Sequence, residues 1–558
     1  HLHMCGIFGY VGKRTASPIL LEGLRTLEYR GYDSAGIFVP GEQAVKAVGP
    51  IDNLAKKLTE TLPGTIGIAH TRWATHGAPT EENAHPHLDM TGHIAVVHNG
   101  IIENYQELKE GLKMQGITFA SDTDTEVLTK LIGTLYEGNL LAAVQKALGM
   151  VRGTYGLVAV AEQDPTTLVT ARLGSPIVLG VAADGNLISS DPSALLAHTK
   201  DVIYLEDGEC AVVTSDSYEI LTISGEKLNK KPETVEWDVE AVQKQGYDHF
   251  MLKEIFEGPD VIENTIRGRL LVDKGRAKLG GLEGVLDQLT SLQRLVIVGC
   301  GSAYYAGQVG RYMLEEYAGL PVEVELGSEY RYKRNLPVKN SAVLAVTQSG
   351  ETADTLASLR AAKGQDLLTL GVVNAVGSTI ARETDAGVYN HAGPEIAVAS
   401  TKAFISQLTV FVLLALLIGR EKGMSAEEGK QIAKELKQLP ETLRMYLKNT
   451  DDIKKIAKKY AGYRDAIFIG RKLHTPIAYE GSLKLKEVAY THAEAYAGGE
   501  LKHGPIAMLD EHFPVVAIAP QDDVYEKMIS NIEEVRARKA PVLAIATEGD
   551  LHIESVAD

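Results

Sequence analysis

The chain has 558 residues, too many for one hydrophobic core, and that length suggests roughly three or four domains. Hydrophobic residues make up 45% and charged residues 23%, the balance of a soluble globular protein. A net charge of −17 argues against a nucleic-acid or anionic-membrane surface, since either would repel the chain, although a local basic pocket for a phosphate stays possible.

Three scattered cysteines, Cys5, Cys210 and Cys300, form no disulfide framework, so a reducing, cytoplasmic setting is expected. The longest apolar run, Thr409 to Ile418, is about half of a bilayer span and predicts a buried helix. No secretory signal opens the sequence, and His1-Leu2-His3-Met4 reads as a tag remnant plus the initiator methionine.

From Cys5 to about Val235 the chain alternates short β-rich runs with turns. Strands are expected at Ile66–Ala69, Ile94–Val97 and Leu157–Val160. One early helix is predicted, with Ser17 as its cap, Pro18 in its first position, and Leu20, Leu21, Leu24 and Leu27 on one face. The expectation for residues 5–235 is an α+β domain of stacked sheets. Asn229 to Tyr247 is polar and aperiodic, and residues 236–285 read as linker and connecting helices.

Further on, apolar strands alternate with helices, the pattern of a parallel doubly wound sheet. The pattern also repeats. Val296-Ile297-Val298-Gly299 matches Ile467-Phe468-Ile469-Gly470, and the 171-residue offset from Gly299 to Gly470 also relates Leu344-Ala345-Val346 to Val515-Val516-Ala517 and Gly371 to Val542. Two α/β domains follow, 286–430 and 450–558. The first copy continues through Gly387-Val388-Tyr389, whose counterpart falls at residue 558, so the second copy is expected to lack its last strand and helix.

Cys5-Gly6-Ile7 follows Met4 directly. Removal of Met4 would leave a Cys5 α-amine of pKa about 7.7–8.0, able to act as general base for its own thiol. An isolated Met-Cys-Gly is most simply a buried first strand. Here it precedes, in order, Arg30–Gly36 (RGYDSAG), His70–Gly77 (HTRWATHG), His98-Asn99-Gly100 and Ser121–Glu126 (SDTDTE). Together these segments resemble the class II glutamine amidotransferase family. The resemblance implies an Ntn-hydrolase-like fold with Cys5 as nucleophile and Asn99 and Gly100 as oxyanion donors. It implies glutamine binding by Arg72 (carboxylate), Asp124 (ammonium) and the loop carrying Trp73, Thr75 and His76. Histidines at 70, 76, 85, 87, 93 and 98 lack the acidic or cysteine partners of a usual metal set, so no metal is expected, and His85-Pro86-His87 reads as structural or as pocket wall.

Val298-Gly299-Cys300-Gly301-Ser302 and Val346–Thr352 (VTQSGET) each close a strand and open a helix, a junction whose free N–H groups suit a phosphate. Thr347, Gln348, Ser349 and Thr352 add side-chain donors, although Ser349 could equally be an ordinary helix cap. A dinucleotide fingerprint fails because Tyr304 occupies the third glycine position. These motifs, with Val398–Lys402 (VASTK), Glu480–Glu487 (EGSLKLKE) and Glu500–Pro505 (ELKHGP), resemble sugar-isomerase domains.

The two halves together resemble the isomerising glutamine–fructose-6-phosphate aminotransferase family. That resemblance implies glutamine and fructose-6-phosphate as substrates and no cofactor. It implies a homodimer or higher oligomer, sugar-phosphate contacts at Ser302, Thr347, Gln348, Ser349, Thr352, Val398 and Ser400, and catalysis involving Glu480, Lys484 and Glu487. Glu487 is the implied base for the C1-to-C2 proton shift, and His503 assists ring opening from a neighbouring subunit. Without their flanking motifs Glu480, Lys484 and Glu487 would be an ordinary helical charge ladder. Two departures stand out. Ala303 replaces a serine common in the family, and the family's imine-forming lysine lies in a C-terminal tail with no counterpart in this sequence. A purine-pathway phosphoribosyl amidotransferase is disfavoured because no acidic diphosphate-binding loop is present. A non-catalytic phosphosugar sensor is disfavoured by Cys5 and Glu487 within their motifs.

Overall fold

The computed structural model describes residues 5–28, 31–73, 78–235, 245–334 and 338–558. The chain forms two compact units, 3–243 and 244–558.

Among the described residues, the first unit holds an eight-stranded and a seven-stranded sheet, both antiparallel in every pair. The strand Gly6–Gly12 lies inside the larger sheet, between Ile66–Arg72 and Gly185–Ser189. Its alternation explains the layering. Ile7 and Val11 point inward and meet Val97, Val158 and Val160 of the second sheet, while Phe8 and Tyr10 point outward beneath Leu20, Leu24 and Leu27 of the helix Ala16–Leu27. On the far side, Val96, Leu157 and Ala159 are covered by Val127, Leu128 and Val144 from the helices Asp124–Leu135 and Leu140–Leu148. The order of layers is helix, sheet, sheet, helix.

The expected strands at 66–69, 94–97 and 157–160 lie within Ile66–Arg72, Ile94–Ile102 and Gly153–Ala161. The early helix starts sooner than its cap signal suggests. It begins at Ala16, Ser17 donates to the Leu62 carbonyl at 3.2 Å instead of capping, and Pro18 falls in the first turn, where no N–H is required.

Among the described residues, the second unit contains two all-parallel sheets beside a short antiparallel pair, Leu270–Leu271 with Arg276–Ala277. The first runs Val322–Leu326, Arg294–Gly299, Ser341–Thr347, Leu368–Val373, Ala386–Tyr389; the second runs His492–Ala497, Asp465–Gly470, Val515–Ala519, Val542–Ala546. The 171-residue repeat extends to the pair Val322–Leu326 and His492–Ala497. Sequence periodicity missed these because both are half-exposed edge strands carrying glutamates or polar residues in place of an apolar run.

The apolar segment 409–418 lies in the helix Lys402–Lys422. That helix is long and apolar enough to cross a membrane by composition alone, yet 78% of its most apolar window is buried inside the unit. Its Phe411 fits against Gly310 of the helix Ser302–Ala318, where any Cβ would come within 2.5 Å of the ring.

Phe411→Ala leaves a hole at this contact that neither helix can close. A loss of about 3–5 kcal/mol is expected in the second unit. Hydrogen exchange followed through a urea titration should show residues 244–558 unfolding at lower urea while residues 5–235 hold their midpoint. An unmoved midpoint for the second unit would contradict this packing.

Two candidate active sites

Cys5 immediately precedes its strand and is half-buried. Antiparallel pairing places Gly6 opposite Thr71, whose Oγ1 accepts the Gly6 N–H at 3.1 Å, so Cys5 reaches the end of the partner strand. There the Trp73 N–H donates to Cys5 Sγ at 3.2 Å, and the thiol points back to the Trp73 carbonyl at 3.6 Å. Tyr32 meets the Trp73 ring edge-on at 5.2 Å. From the second sheet, Asn99 Nδ2 donates to the Cys5 carbonyl at 2.6 Å. Gly100 has φ +126° and faces the Thr154 carbonyl so closely that a Cβ would stand 2.2 Å from its oxygen, a position open to glycine alone.

Arg72 is buried, with Nη1 donating to the Ala78 carbonyl at 3.2 Å. Burial pulls its guanidinium below the ordinary value, opposed by Cys5, Asp33 and Asp124. Asp124 opens the helix Asp124–Leu135 and accepts the Ile102 N–H at 2.8 Å. The structure thus gathers Cys5, Arg72, Trp73, Asn99, Gly100 and Asp124 in one unit. Thr75 and His76 lie outside the described residues.

A row of buried histidines lies behind this site. His70 stacks on His85 at 4.1 Å, and His85 meets His87 at 4.9 Å. His87 Nε2 bonds Thr123 Oγ1 at 2.9 Å, and His98 Nδ1 bonds Thr125 Oγ1 at 2.9 Å. Burial holds all four below the ordinary imidazole range, His70 at about 3 and His85 and His87 well down, while Asp124 partly offsets the effect at His98.

In the second unit the parallel register brings strand ends 299 and 347 to one edge. A pocket there is lined by Ser302, Thr347, Gln348, Ser349, Thr352 and Ser400, by Cys300 and Ala303 from the same strand-to-helix junction, and by Gln407, which sequence reasoning did not select. Val398 is half-buried and outside this lining. Ala303 does line it, so the departure from serine falls on the pocket wall. Thr347 Oγ1 accepts the Gly350 N–H at 3.2 Å and lies 3.3 Å from Thr352 Oγ1. Ser349 Oγ accepts the Glu351 N–H at 3.2 Å, while the cap position of the following helix belongs to Thr352.

Ser302 links this pocket to the helix His474–Ala489. Its hydroxyl donates to Glu480 at 2.8 Å and accepts from Lys484 at 2.9 Å. Lys484 Nζ also lies 3.1 Å from Glu480 and 2.7 Å from Glu487. These side chains are 8%, 16% and 9% exposed for Glu480, Lys484 and Glu487, far from a solvated charge ladder. Burial raises the Glu480 carboxyl, with Lys484 and Ser302 opposing. His503 is exposed at the end of the turn Gly498–His503.

A second buried acidic pair supports the pocket wall and had no motif to reveal it. Glu395 accepts from Ser400 Oγ at 3.0 Å and from the N–H groups of Thr401 and Ala403, which caps the helix Lys402–Lys422. Glu254 accepts from the Ile396 and Ala397 N–H groups, and burial plus Glu395 push its carboxyl up to about 8.

The neutral histidines have a consequence for stability. Their folded pKa values lie below the unfolded value of about 6.5, so the unfolded state binds more protons and stability falls as pH drops from about 6.5 toward 3. Each such group contributes ~1.4 kcal/mol per pH unit within its window. The unfolding free energy of residues 5–235, measured from pH 7.5 to 5, should fall on acidification, and His87→Gln should make that fall shallower by one proton. An identical slope in the variant would show that His87 does not titrate as argued.

Comparison with known proteins finds matches for both units. The family model described as SIS domain matches residues 288–417 and 459–558, and that described as glutamine amidotransferase domain matches 56–218. Glutamine–fructose-6-phosphate aminotransferase [isomerizing] of Chlorobaculum tepidum is 48% identical over 565 residues, covering 100% of this chain and 92% of its own length. The protein of the same name from Thermus thermophilus is 49% identical over 559 residues, covering 99% and 92%. Among solved structures, the C-terminal domain of glucosamine-fructose-6-phosphate aminotransferase from Francisella tularensis aligns with a TM-score of 0.54 at 38% identity, covering 57% of this chain and 88% of that one. By identity over its whole length, this chain belongs to the family of isomerising glutamine–fructose-6-phosphate aminotransferases.

Proposed function

We propose that the chain transfers the amide nitrogen of glutamine to fructose-6-phosphate and isomerises the product to glucosamine-6-phosphate, releasing glutamate. The observation that carries this reading is the position of Ser302. One residue both lines the pocket of Thr347, Ser349 and Thr352 and bonds Glu480 and Lys484, so a phosphate cradle and a carboxylate pair share a wall.

In the first unit, a Cys5 bearing a free α-amine passes its thiol proton to that amine, and sulfur attacks the glutamine side-chain carbonyl. The carbonyl electrons collect as an oxyanion, met by Asn99 Nδ2 and the Gly100 N–H. As the C–N bond breaks, the ammonium proton goes to the leaving nitrogen, which departs as ammonia. Water then cleaves the thioester, restoring the thiol and giving glutamate. Arg72 and Asp124 hold the α-carboxylate and α-ammonium.

In the second unit, ammonia replaces the C2 carbonyl oxygen of the open-chain sugar, with loss of water. Glu487 removes a proton from C1 as the imine nitrogen gains one, giving an enolamine, and then returns a proton to C2 as the C1 hydroxyl loses its own, leaving an aldehyde at C1 and an amine at C2. Lys484 pairs with Glu487 and holds Glu480 in register. The exposed His503 serves ring opening in a second copy, which makes the working form at least a dimer. A reducing cytoplasm suits cysteines so few and so scattered along the chain.

Cys5→Ala should abolish glutamate release and leave fructose-6-phosphate affinity unchanged, because the two chemistries occupy separate compact units. Glutamate production at the normal rate would remove Cys5 from the mechanism. Thr347→Val and Ser349→Ala should each weaken fructose-6-phosphate binding roughly tenfold, the value of about 1.5 kcal/mol for a hydrogen bond to a charged group. Titration calorimetry showing full affinity in both would end the phosphate-cradle assignment.

A further inference from the structure

An asparagine amide can help or oppose an oxyanion, according to which end faces it. Asn99 makes two hydrogen bonds that settle its direction. One end meets the Cys5 carbonyl at 2.6 Å and the other meets His70 Nε2 at 3.0 Å. A carbonyl oxygen only accepts, so the end facing Cys5 is Nδ2. Oδ1 then faces His70, and Nε2 of that ring must carry the proton.

We propose that His70 is a positioning residue for glutamine hydrolysis: its Nε2–H holds the Asn99 amide with Nδ2, not Oδ1, toward the reacting carbonyl. This rests on the hydrolysis reading above. A flipped amide would turn a partial negative charge toward the developing oxyanion, converting stabilisation into repulsion.

The surroundings favour the bond to Asn99. His70 is fully buried on the strand Ile66–Arg72, paired with Ile7, and its contact to Asn99 bridges the two sheets. Its other nitrogen, Nδ1, is buried without a hydrogen-bond partner. With Nδ1 left unsatisfied, the side-chain hydrogen bond of this buried ring is the one from Nε2 to Asn99. The His85 ring, 4.1 Å away and tilted 33°, fixes the plane in which Nε2 points. Burial keeps the ring neutral down to about pH 3, so the tautomer is a standing feature at neutral pH.

The test uses the whole chain beginning at Cys5, with glutamate release giving kcat and KM and iodoacetamide reporting the thiol. His70→Leu removes the donor at similar volume. Its kcat should fall roughly 10–100-fold, short of or equal to the loss from removing an oxyanion donor outright. KM and the alkylation rate should stay close to those of the unsubstituted chain. His70→Gln, which can return an N–H to the same place, should recover most of the lost kcat. Combined with Asn99→Ala, His70→Leu should cost nothing further, since both act through one group. Should His70→Leu fail to fold, His70→Asn, polar but too short to reach Oδ1, carries the same expectation. Unchanged kcat in the folded variant, no recovery with Gln, or losses that multiply in the double variant would each overturn the positioning role. Failure of the hydrolysis reading looks different: Asn99→Ala alone would then leave glutamate release untouched.

Discussion

Backbone register is the constraint on which both sites depend. In the first unit, Gly6 pairs with Thr71 and Ile7 with His70. That alignment places Cys5 beside Trp73 at the strand end and turns His70 inward toward Asn99. A slip of one residue would exchange the two faces of the strand, turning Ile7 and Val11 out of the inter-sheet core and Phe8 and Tyr10 into it. The apolar alternation therefore pins the catalytic geometry as a by-product of burying the core. In the second unit, parallel pairing of Arg294–Gly299 with Ser341–Thr347 brings the loops that follow to one edge, where Ser302 and the residues from Thr347 to Thr352 converge.

The two sites handle buried polarity in opposite ways. Around Cys5, burial strips charge from His70, His85, His87 and His98, leaving directional hydrogen bonds that orient amides and hydroxyls. Around Ser302, acidic and basic side chains are paired directly. Lys484 lies between Glu480 and Glu487, and removal of that cation would leave two carboxylates close together in a poorly solvated space. Beside them, Glu254 and Glu395 face each other under the loop that carries Ser400. The rise in the Glu254 carboxyl comes first from burial and then from Glu395 beside it, and five backbone or hydroxyl donors to the pair offset part of it.

Much was legible in the chain itself. The strands at 66–69, 94–97 and 157–160, the local runs that repeat at an offset of 171 residues, the buried helix through Phe411, and the motifs around Cys5, Asn99, Thr347 and Glu480 all rest on short-range patterns, because period and composition are properties of neighbouring residues. Local signals were weakest at edges: the helix start moved from Pro18 to Ala16, and the edge strands at 322–326 and 492–497 were hidden by their polar residues. Tertiary structure alone decided which separated residues meet. The bonds from His70 to Asn99, from Ser302 to Glu480 and Lys484, and from Glu254 to the loop at Ile396 join positions 29, 178, 182 and 142 residues apart. No local periodicity encodes such pairs. Nor does it encode their burial, which turns the i, i+4, i+7 spacing of Glu480, Lys484 and Glu487 from a surface charge ladder into a site.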